Sequence, residues 1–235
     1  MPRFRVQYLY ASLLMTVFIT VPLQRTDSAM PRSFWLQSPT RSGPAAPLGG
    51  RTLIDAGFQH FPQWDRVRRF ILDQRNFRCA KLRQWVTWAA ALRERPVRER
   101  LAVINARVHA QIPYASDAVV WGRPNYWENP REIVSKGATD CEGFAVFKMF
   151  LAIAAGIDRS DMAIAVGQIP SRAVYHAVLV VRVDGDDEVL DSRQPDVTSA
   201  ADLRDFAPLY AVGTVNAWSY PASAEPVETR SVALP

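Results

Sequence analysis

The sequence lacks several features that define common classes of protein. With only 2 cysteines among 235 residues, at most one disulfide can form, so a cysteine-rich scaffold is excluded. No internal repeat is visible, which excludes a solenoid. The formal net charge is a modest +5, and the basic residues between positions 66 and 107 are interleaved with tryptophans and aliphatic residues. This mixture is typical of solvated helix faces, so no nucleic-acid partner is expected.

The sequence also lacks an apolar run of comfortable membrane-spanning length. Two arginines precede the apolar run at residues 8–23, and small residues follow at Ser28 and Ala29. This order predicts a secretory signal peptide over residues 1–29. An uncleaved N-terminal anchor is the alternative, because Asp27 stands where a cleavage site needs a small residue. Either interpretation puts the domain in the periplasm or otherwise outside the cytoplasm.

The two cysteines are expected to be free thiols. In an exported protein Cys79 and Cys141 could form a disulfide. However, Cys79 lies in a stretch whose helical period would bury it, and free cysteine is a common small core residue. The free state is therefore the preferred interpretation.

Composition and periodicity divide the rest of the chain into a lead-in, one domain and a tail. Residues 30–62 are rich in proline and predict an irregular lead-in. Apolar residues recur at helical spacing in three successive stretches between residues 63 and 108, so three amphipathic helices are expected. A single domain is expected over residues 63–220, followed by a flexible tail at residues 221–235.

A long loop rich in aromatic residues is expected next, before residue 140. It carries Tyr114, Trp121, Tyr126 and Trp127. Loops with so many large rings pack a surface groove or cover a site, so this segment is interpreted as part of a functional surface.

A second helical pattern begins at Cys141, which stands between Asp140 and Glu142. The following run is apolar around nearly its whole circumference, which predicts a helix at the centre of the core that ends at Gly156. Thr139 or Asp140 is suited to cap its N-terminus. Cys141 is therefore expected in the first turn. Unpaired backbone N–H groups and the helix dipole favour a thiolate there and can stabilise an oxyanion.

Beyond this helix the apolar residues alternate, as is typical of strands. Strands are expected over residues 162–169, over residues 173–183 and from Glu188 onward. The helices and strands occur in separate blocks, which is typical of an α+β fold.

The last two of these strands are predicted to form a hairpin. Asp-Gly at positions 184–185 predicts a two-residue turn, which pairs Val178 with Asp191. That register puts His176 on the same face as Asp191, within reach of a hydrogen bond. A slip of one residue would move Asp191 to the opposite face.

Cysteine at a helix start, histidine on a strand and a neighbouring acid are the residue types of a nucleophilic triad. Cys141 is the candidate nucleophile, His176 the candidate base and Asp191 the candidate orienting group. A hydrogen-bonded core histidine is the alternative interpretation of His176. His60 and His109 lack such neighbours and are interpreted as surface or packing residues.

The stretches "DCEGFAVFKMFLAIAAGI", "YHAVLVVRV" and "VLDS" resemble the bacterial transglutaminase-like cysteine proteinases. This family includes the LapG-type periplasmic proteases that release biofilm adhesins. The similarity continues upstream through "INARVHAQIPYASD" and "WGRPNYWENPREIVSKG" and downstream through "FAPLYAVGTVNAWSY". The resemblance implies a papain-like α+β core, with N-terminal helices and a cysteine-bearing helix packed on an antiparallel sheet. It also implies Cys141 as nucleophile, His176 as general base and Asp191 as its partner.

The resemblance further implies calcium as a cofactor. LapG-type members bind calcium beside the cysteine through an Asp-Cys-Glu-Asp run, and Asp140 and Glu142 match two of these acids. Gly143 replaces the last acid, Thr139 stands where the family has glycine, and Asn125 stands where it has aspartate. Calcium requires about six to eight oxygen ligands. Binding is therefore expected to be weaker than in LapG-type relatives, or absent.

Three functions of different classes follow from these observations. The first is an exported cysteine endopeptidase that acts on a protein or peptide, such as a biofilm adhesin, under the control of a membrane-bound receptor. The second is transglutaminase-type or amidase-type acyl transfer by the same triad, because a thioester can be resolved by water or by an amine. The third is a catalytically silent module that keeps the groove and binds peptides.

Overall fold

The computed structural model describes residues 46–52 and 58–220, so the predicted signal peptide and C-terminal tail lie outside the described residues. The helices in the described part are α1 (Pro62–Leu72), α2 (Arg83–Ala90), α3 (Val97–Gln111), α4 (Asp117–Trp121), α5 (Pro130–Lys136) and α6 (Cys141–Ala154). The strands are β1 (Arg51–Thr52), β2 (Met162–Ile169), β3 (Val174–Val183), β4 (Asp186–Asp191), β5 (Val197–Ser199), β6 (Ala207–Gly213) and β7 (Ala217–Ser219).

The strands form a single antiparallel sheet in the order β1-β7-β6-β2-β3-β4-β5. The predicted hairpin between β3 and β4 is confirmed. Asp184 and Gly185 adopt φ values of 56° and 94°, and Val178 pairs with Asp191. Both turn residues have the positive φ that a type I′ turn requires.

Helices cover one face of the sheet, and α6 lies at the centre of the resulting core. It packs against β3, α3 and α2, and its apolar side chains are buried on nearly all sides, as the sequence predicts. Large rings surround it: Phe77 stacks on Phe150 with 4.4 Å between ring centroids, and Trp85 meets Phe147 edge-on at 4.9 Å. The α+β fold with a cysteine-bearing helix packed on an antiparallel sheet is therefore confirmed.

The other face of the sheet is covered in part by the end of the predicted lead-in. Strand β1 pairs with β7 at the edge of the sheet. The Tyr220 hydroxyl donates a hydrogen bond of 2.5 Å to the carbonyl of Pro47, and the Leu48 N–H donates one of 2.8 Å to Asp187 Oδ2. The described part of residues 30–62 thus contributes a short strand, two 3-10 turns and the first residue of α1 to the domain.

The first three helices lie where the apolar spacing predicts them, and the third continues past residue 108 to Gln111. The first ends at Leu72 because residues 74–78 form a 3-10 helix capped by Asp73. Cys79 follows this turn, is half-buried, and is a free thiol, as is Cys141. Within residues 46–52 and 58–220, none of the helices combines the length and hydropathy needed to cross a bilayer.

Candidate active site

The nucleophile candidate Cys141 is the first residue of α6, and its position is fixed by local capping. Asp140 is the N-cap, and its Oδ1 accepts a hydrogen bond of 3.3 Å from the Gly143 N–H. The residue before the cap, Thr139, is held against the aromatic loop, because the Ala115 N–H donates to its carbonyl at 2.9 Å. Cys141 is 8% exposed, so its thiol lies just beneath the surface.

The two other triad candidates meet on adjacent strands. His176 Nε2 lies 2.8 Å from Asp191 Oδ1, and both side chains are buried. The backbone N–H of Ala177, the next residue on β3, lies close enough to the Cys141 thiol to lower its pKa slightly, and α6 packs on β3. The sheet and the start of α6 therefore converge at one point. Because Nε2 faces the carboxylate, Nδ1 is the histidine nitrogen left for proton transfer.

Asp191 is held by more groups than the sequence suggests. The Arg193 guanidinium donates to its Oδ2 at 2.6 and 2.8 Å, and the Arg193 N–H donates to Oδ1 at 2.8 Å. Burial alone would raise the pKa of Asp191, but the hydrogen bonds from His176 and Arg193 hold that pKa well below its usual range. Arg193 was not predicted, although its position two residues after Asp191 in the chain could have suggested it as a partner of that carboxylate.

A buried amine and a second histidine lie behind Asp191. Lys148 Nζ on α6 donates to the Asp191 carbonyl at 3.0 Å and lies 3.2 Å from His109 Nε2, which is itself 2.9 Å from the same carbonyl. Burial lowers the pKa of Lys148 to about 7. His109 does pack against Phe144, with 5.1 Å between ring centroids. This contact agrees with the interpretation of His109 as a packing residue, and its polar partners, Lys148 and the Asp191 carbonyl, become its neighbours only in the folded chain.

The charges around Cys141 oppose a thiolate. Burial raises the pKa of the Cys141 thiol far above its usual range, and the charges of Glu142 and Asp140 raise it further. The thiol also lies 2.9 Å from Glu142 Oε2 and donates to it. The helix terminus therefore does not by itself produce the lowered pKa that its position suggests.

Three carboxylates from separate segments come together beside Asp140. The side-chain oxygens of Asp117, Glu128 and Asp140 lie within 4.8 Å of one another, and all three residues are buried. Burial raises the pKa of Asp140 to about 9 and that of Glu128 to about 7, and it also raises the pKa of Asp117. A second group of possible ligands consists of Asp140, Cys141 and Glu142. Asp117 and Glu128 were not predicted, because nothing in their local sequence marks them as partners of Asp140.

The aromatic loop packs against this acidic group and against the helical core. Trp121 Nε1 donates to Glu128 Oε1 at 2.8 Å, and its ring lies 4.6 Å from that of Tyr126. Trp127 is buried and meets Trp64 edge-on at 5.9 Å, whereas Tyr114 is 59% exposed beside Phe144. The segment therefore packs on a surface beside the start of α6, and it is not a continuous loop as predicted, because it contains the short helices α4 and α5.

Comparison with known proteins identifies similar sequences and folds. The sequence profile described as bacterial transglutaminase-like cysteine proteinase matches residues 73–204, more than half of the chain. Legionella pneumophila LapG superposes with a TM-score of 0.53 at 23% identity, over 66% of this chain and 86% of that chain. Its calcium-bound form gives 0.53 at 21% identity, over 69% and 93%. Its EGTA-treated form gives 0.54 at 22% identity, over 67% and 85%. At this low identity, the superpositions show a shared fold and nothing more. The curated protein sequences include no match.

Proposed function

Since this chain belongs to the bacterial transglutaminase-like cysteine proteinase family, we propose that it is a cysteine endopeptidase with Cys141, His176 and Asp191 as its catalytic triad. The family implies a protein or peptide substrate. The observation that carries the proposal is the 2.8 Å contact of His176 Nε2 with Asp191 Oδ1, on the strand whose next residue, Ala177, lies beside the Cys141 thiol. The charge-assisted contact fixes the orientation and tautomer of the imidazole.

The proposed reaction begins with transfer of the Cys141 proton to His176 Nδ1. The thiolate then attacks the substrate carbonyl carbon and forms a tetrahedral oxyanion, which backbone N–H groups at the start of α6 can stabilise. Its collapse breaks the C–N bond, and His176 gives the proton to the leaving amine. Water then attacks the thioester with His176 as base, which releases the carboxylic acid product and restores the thiol.

Glu142 and Asp140 make the first step costly, because both raise the thiol pKa. We therefore include a divalent cation in the proposal, with calcium as the candidate. When bound, calcium supplies positive charge that offsets nearby carboxylates. Asp140 and Glu142 are the ligands that the sequence suggests, and the acidic group around Asp140 has the all-oxygen composition that calcium prefers.

We propose further that the chain works outside the cytoplasm, where a cell-surface protein such as a biofilm adhesin is its substrate and a membrane-bound receptor its regulator. The charged, apolar and small-residue order of the N-terminus supports export. Family membership supports the substrate class.

The decisive experiment compares wild type with Cys141→Ala and Cys79→Ala, which each remove one of the two thiols. The three proteins are incubated with a library of unstructured peptides, and the products are identified by mass spectrometry. We expect cleavage by wild type and Cys79→Ala and none by Cys141→Ala. His176→Ala is expected to be nearly inactive, whereas Asp191→Asn should keep residual turnover.

The products also separate the competing functions. Peptides joined to an added amine, with no free carboxylic acid product, would indicate acyl transfer. Tight peptide binding without turnover would indicate a silent binding module. Full activity of Cys141→Ala would contradict the triad.

A further inference from the structure

Two oxygens in the acidic group beside Asp140 lack any partner although they are fully enclosed. Asp117 is 3% exposed and Glu128 is 0% exposed. One oxygen of each carboxylate is satisfied: the Tyr126 N–H donates to Asp117 Oδ2, and Trp121 Nε1 donates to Glu128 Oε1. Asp117 Oδ1 and Glu128 Oε2 are buried and accept no hydrogen bond. A buried anionic oxygen without a partner is costly unless a positive group compensates it.

No basic side chain compensates this charge within residues 46–52 and 58–220. None of the ion pairs there involves Asp117, Glu128 or Asp140. The ammonium group of Lys136 lies nearby but packs on the ring of Trp121, 4.5 Å from its centroid. The three carboxylates are therefore close together, enclosed and unpaired, which is the arrangement expected of a cation site.

Glu128 brings its free oxygen to the place where position 143 has no side chain. A Cβ built on Gly143 would overlap Thr139 Oγ1 and would lie 3.0 Å from Glu128 Oε2. The Thr139 hydroxyl in turn donates to Glu128 Oε1 at 3.0 Å. Thr139 thus excludes an acid from position 143 and orients the Glu128 carboxylate into the same space.

The chemistry of the site favours calcium over magnesium. All three groups are carboxylates, and hard cations prefer oxygen ligands. Magnesium gives up its water reluctantly and is held by one or two carboxylates, whereas calcium accepts several carboxylates in an irregular shell. An enclosed group of three carboxylates matches the second description.

From these observations we propose that Asp117, Glu128 and Asp140 form a calcium site, in which Glu128 supplies the carboxylate that position 143 cannot carry. The inference deepens the calcium part of the proposed function. It replaces the expected ligand pair of Asp140 and Glu142 with Asp140 and two further buried carboxylates, those of Asp117 and Glu128. Glu142 remains the partner of the Cys141 thiol.

The test measures binding on the full chain carrying Cys141→Ala, so that its result does not depend on peptidase activity. After treatment with a chelator, calcium is titrated by calorimetry. Terbium luminescence excited through tryptophan reports the same site, because Trp121 bonds Glu128 directly. We expect one calcium per chain and terbium emission that calcium abolishes. Magnesium at the same concentration should displace terbium poorly.

Near-isosteric variants identify the ligands. Glu128→Gln and Asp117→Asn are each expected to weaken calcium binding by roughly tenfold or more, because each removes a charged ligand. Glu94→Gln, at an exposed position, is the matched control and should bind as the parent does. In chelator, Glu128→Gln should melt at a higher temperature than the parent, because it removes an uncompensated buried charge.

Several outcomes would overturn the proposal. One is the absence of calcium binding, and another is parental affinity in Glu128→Gln. Binding that is lost in Glu142→Gln but kept in Glu128→Gln would also overturn it. So would a Glu128→Gln protein that unfolds in chelator while the parent stays folded, because that result would give Glu128 a purely structural role.

Discussion

At the scale of single residues, Asp191 shows how one carboxylate can serve two neighbours. Its Oδ1 contacts His176, and its Oδ2 is held by Arg193, whose side chain is 35% exposed. Two guanidinium N–H groups of Arg193 donate to Oδ2 and its backbone N–H donates to Oδ1, which together leave the carboxylate little rotational freedom. Arg193 is therefore a positioning residue that acts through Asp191.

Arg193→Ala should lower kcat/KM on the order of tenfold, because a loosened Asp191 no longer fixes the imidazole. The decrease should fall on kcat and leave KM nearly unchanged, since Arg193 acts through the histidine. Arg193→Lys should recover part of the activity. Arg172→Ala, at an exposed arginine, is the control. A KM effect with unchanged kcat would instead make Arg193 a substrate contact.

Glu142 acts on the thiol directly. It accepts the thiol hydrogen bond at 2.9 Å, and its charge raises the thiol pKa. In chelator, Glu142→Gln should therefore lower the thiol pKa and speed alkylation of Cys141 several-fold at neutral pH. The measurement is the rate of iodoacetamide modification as a function of pH, in a Cys79→Ala background. Glu94→Gln should leave the rate unchanged, and a slower rate in Glu142→Gln would contradict this role.

At the scale of elements, α6 combines an apolar surface with one buried amine. Lys148 is 0% exposed, and burial lowers its pKa to about 7. The unfolded chain binds this proton up to a pKa near 10.4, so between about pH 7 and pH 10 the unfolded state holds more protons. Over that range Lys148 therefore increases the free energy of unfolding as the pH rises, so the folded state becomes more stable.

Lys148→Met should remove this dependence. Relative to Lys148→Met, the free energy of unfolding of wild type is expected to rise by roughly a few kcal/mol between pH 7 and pH 10, because that is the size of the change that the lowered pKa of Lys148 implies. Urea unfolding at several pH values measures the difference. Lys81→Met, at an exposed lysine, should show no such trend. A flat difference for Lys148→Met would mean that the amine is charged in the folded state.

At the scale of the whole molecule, the described end of the lead-in covers part of the face of the sheet opposite the helices. The Tyr220 hydroxyl is 2.5 Å from the Pro47 carbonyl and joins the two ends of the described chain. Tyr220→Phe should lower the free energy of unfolding by about 1 kcal/mol, measured by urea titration. Tyr175→Phe is the control, because Tyr175 is 71% exposed. Equal stability of both variants would show that this junction adds nothing.

The features that the sequence predicts are those governed by local rules. The Asp-Gly turn requires positive φ at two residues, and that requirement alone sets the register that joins His176 to Asp191. The buried circumference of α6 follows from residue types at fixed spacing, and of the two cap candidates, Thr139 and Asp140, the structure uses Asp140. Lys148 could not be found in this way, because its partners His109 and Asp191 are contributed by distant segments of the chain. Glu128 could not be found either, because its contacts with Trp121 and Thr139 follow no fixed spacing. The predicted signal peptide, in residues outside the described part, stays a prediction.

The contact between Thr139 and Gly143 makes the residues allowed at these two positions depend on each other. A side chain at position 143 would strike the Thr139 hydroxyl, so an aspartate there is expected to be tolerated only when position 139 is small. Installing an acid at position 143 therefore requires two substitutions in a fixed order, Thr139→Gly first and Gly143→Asp second.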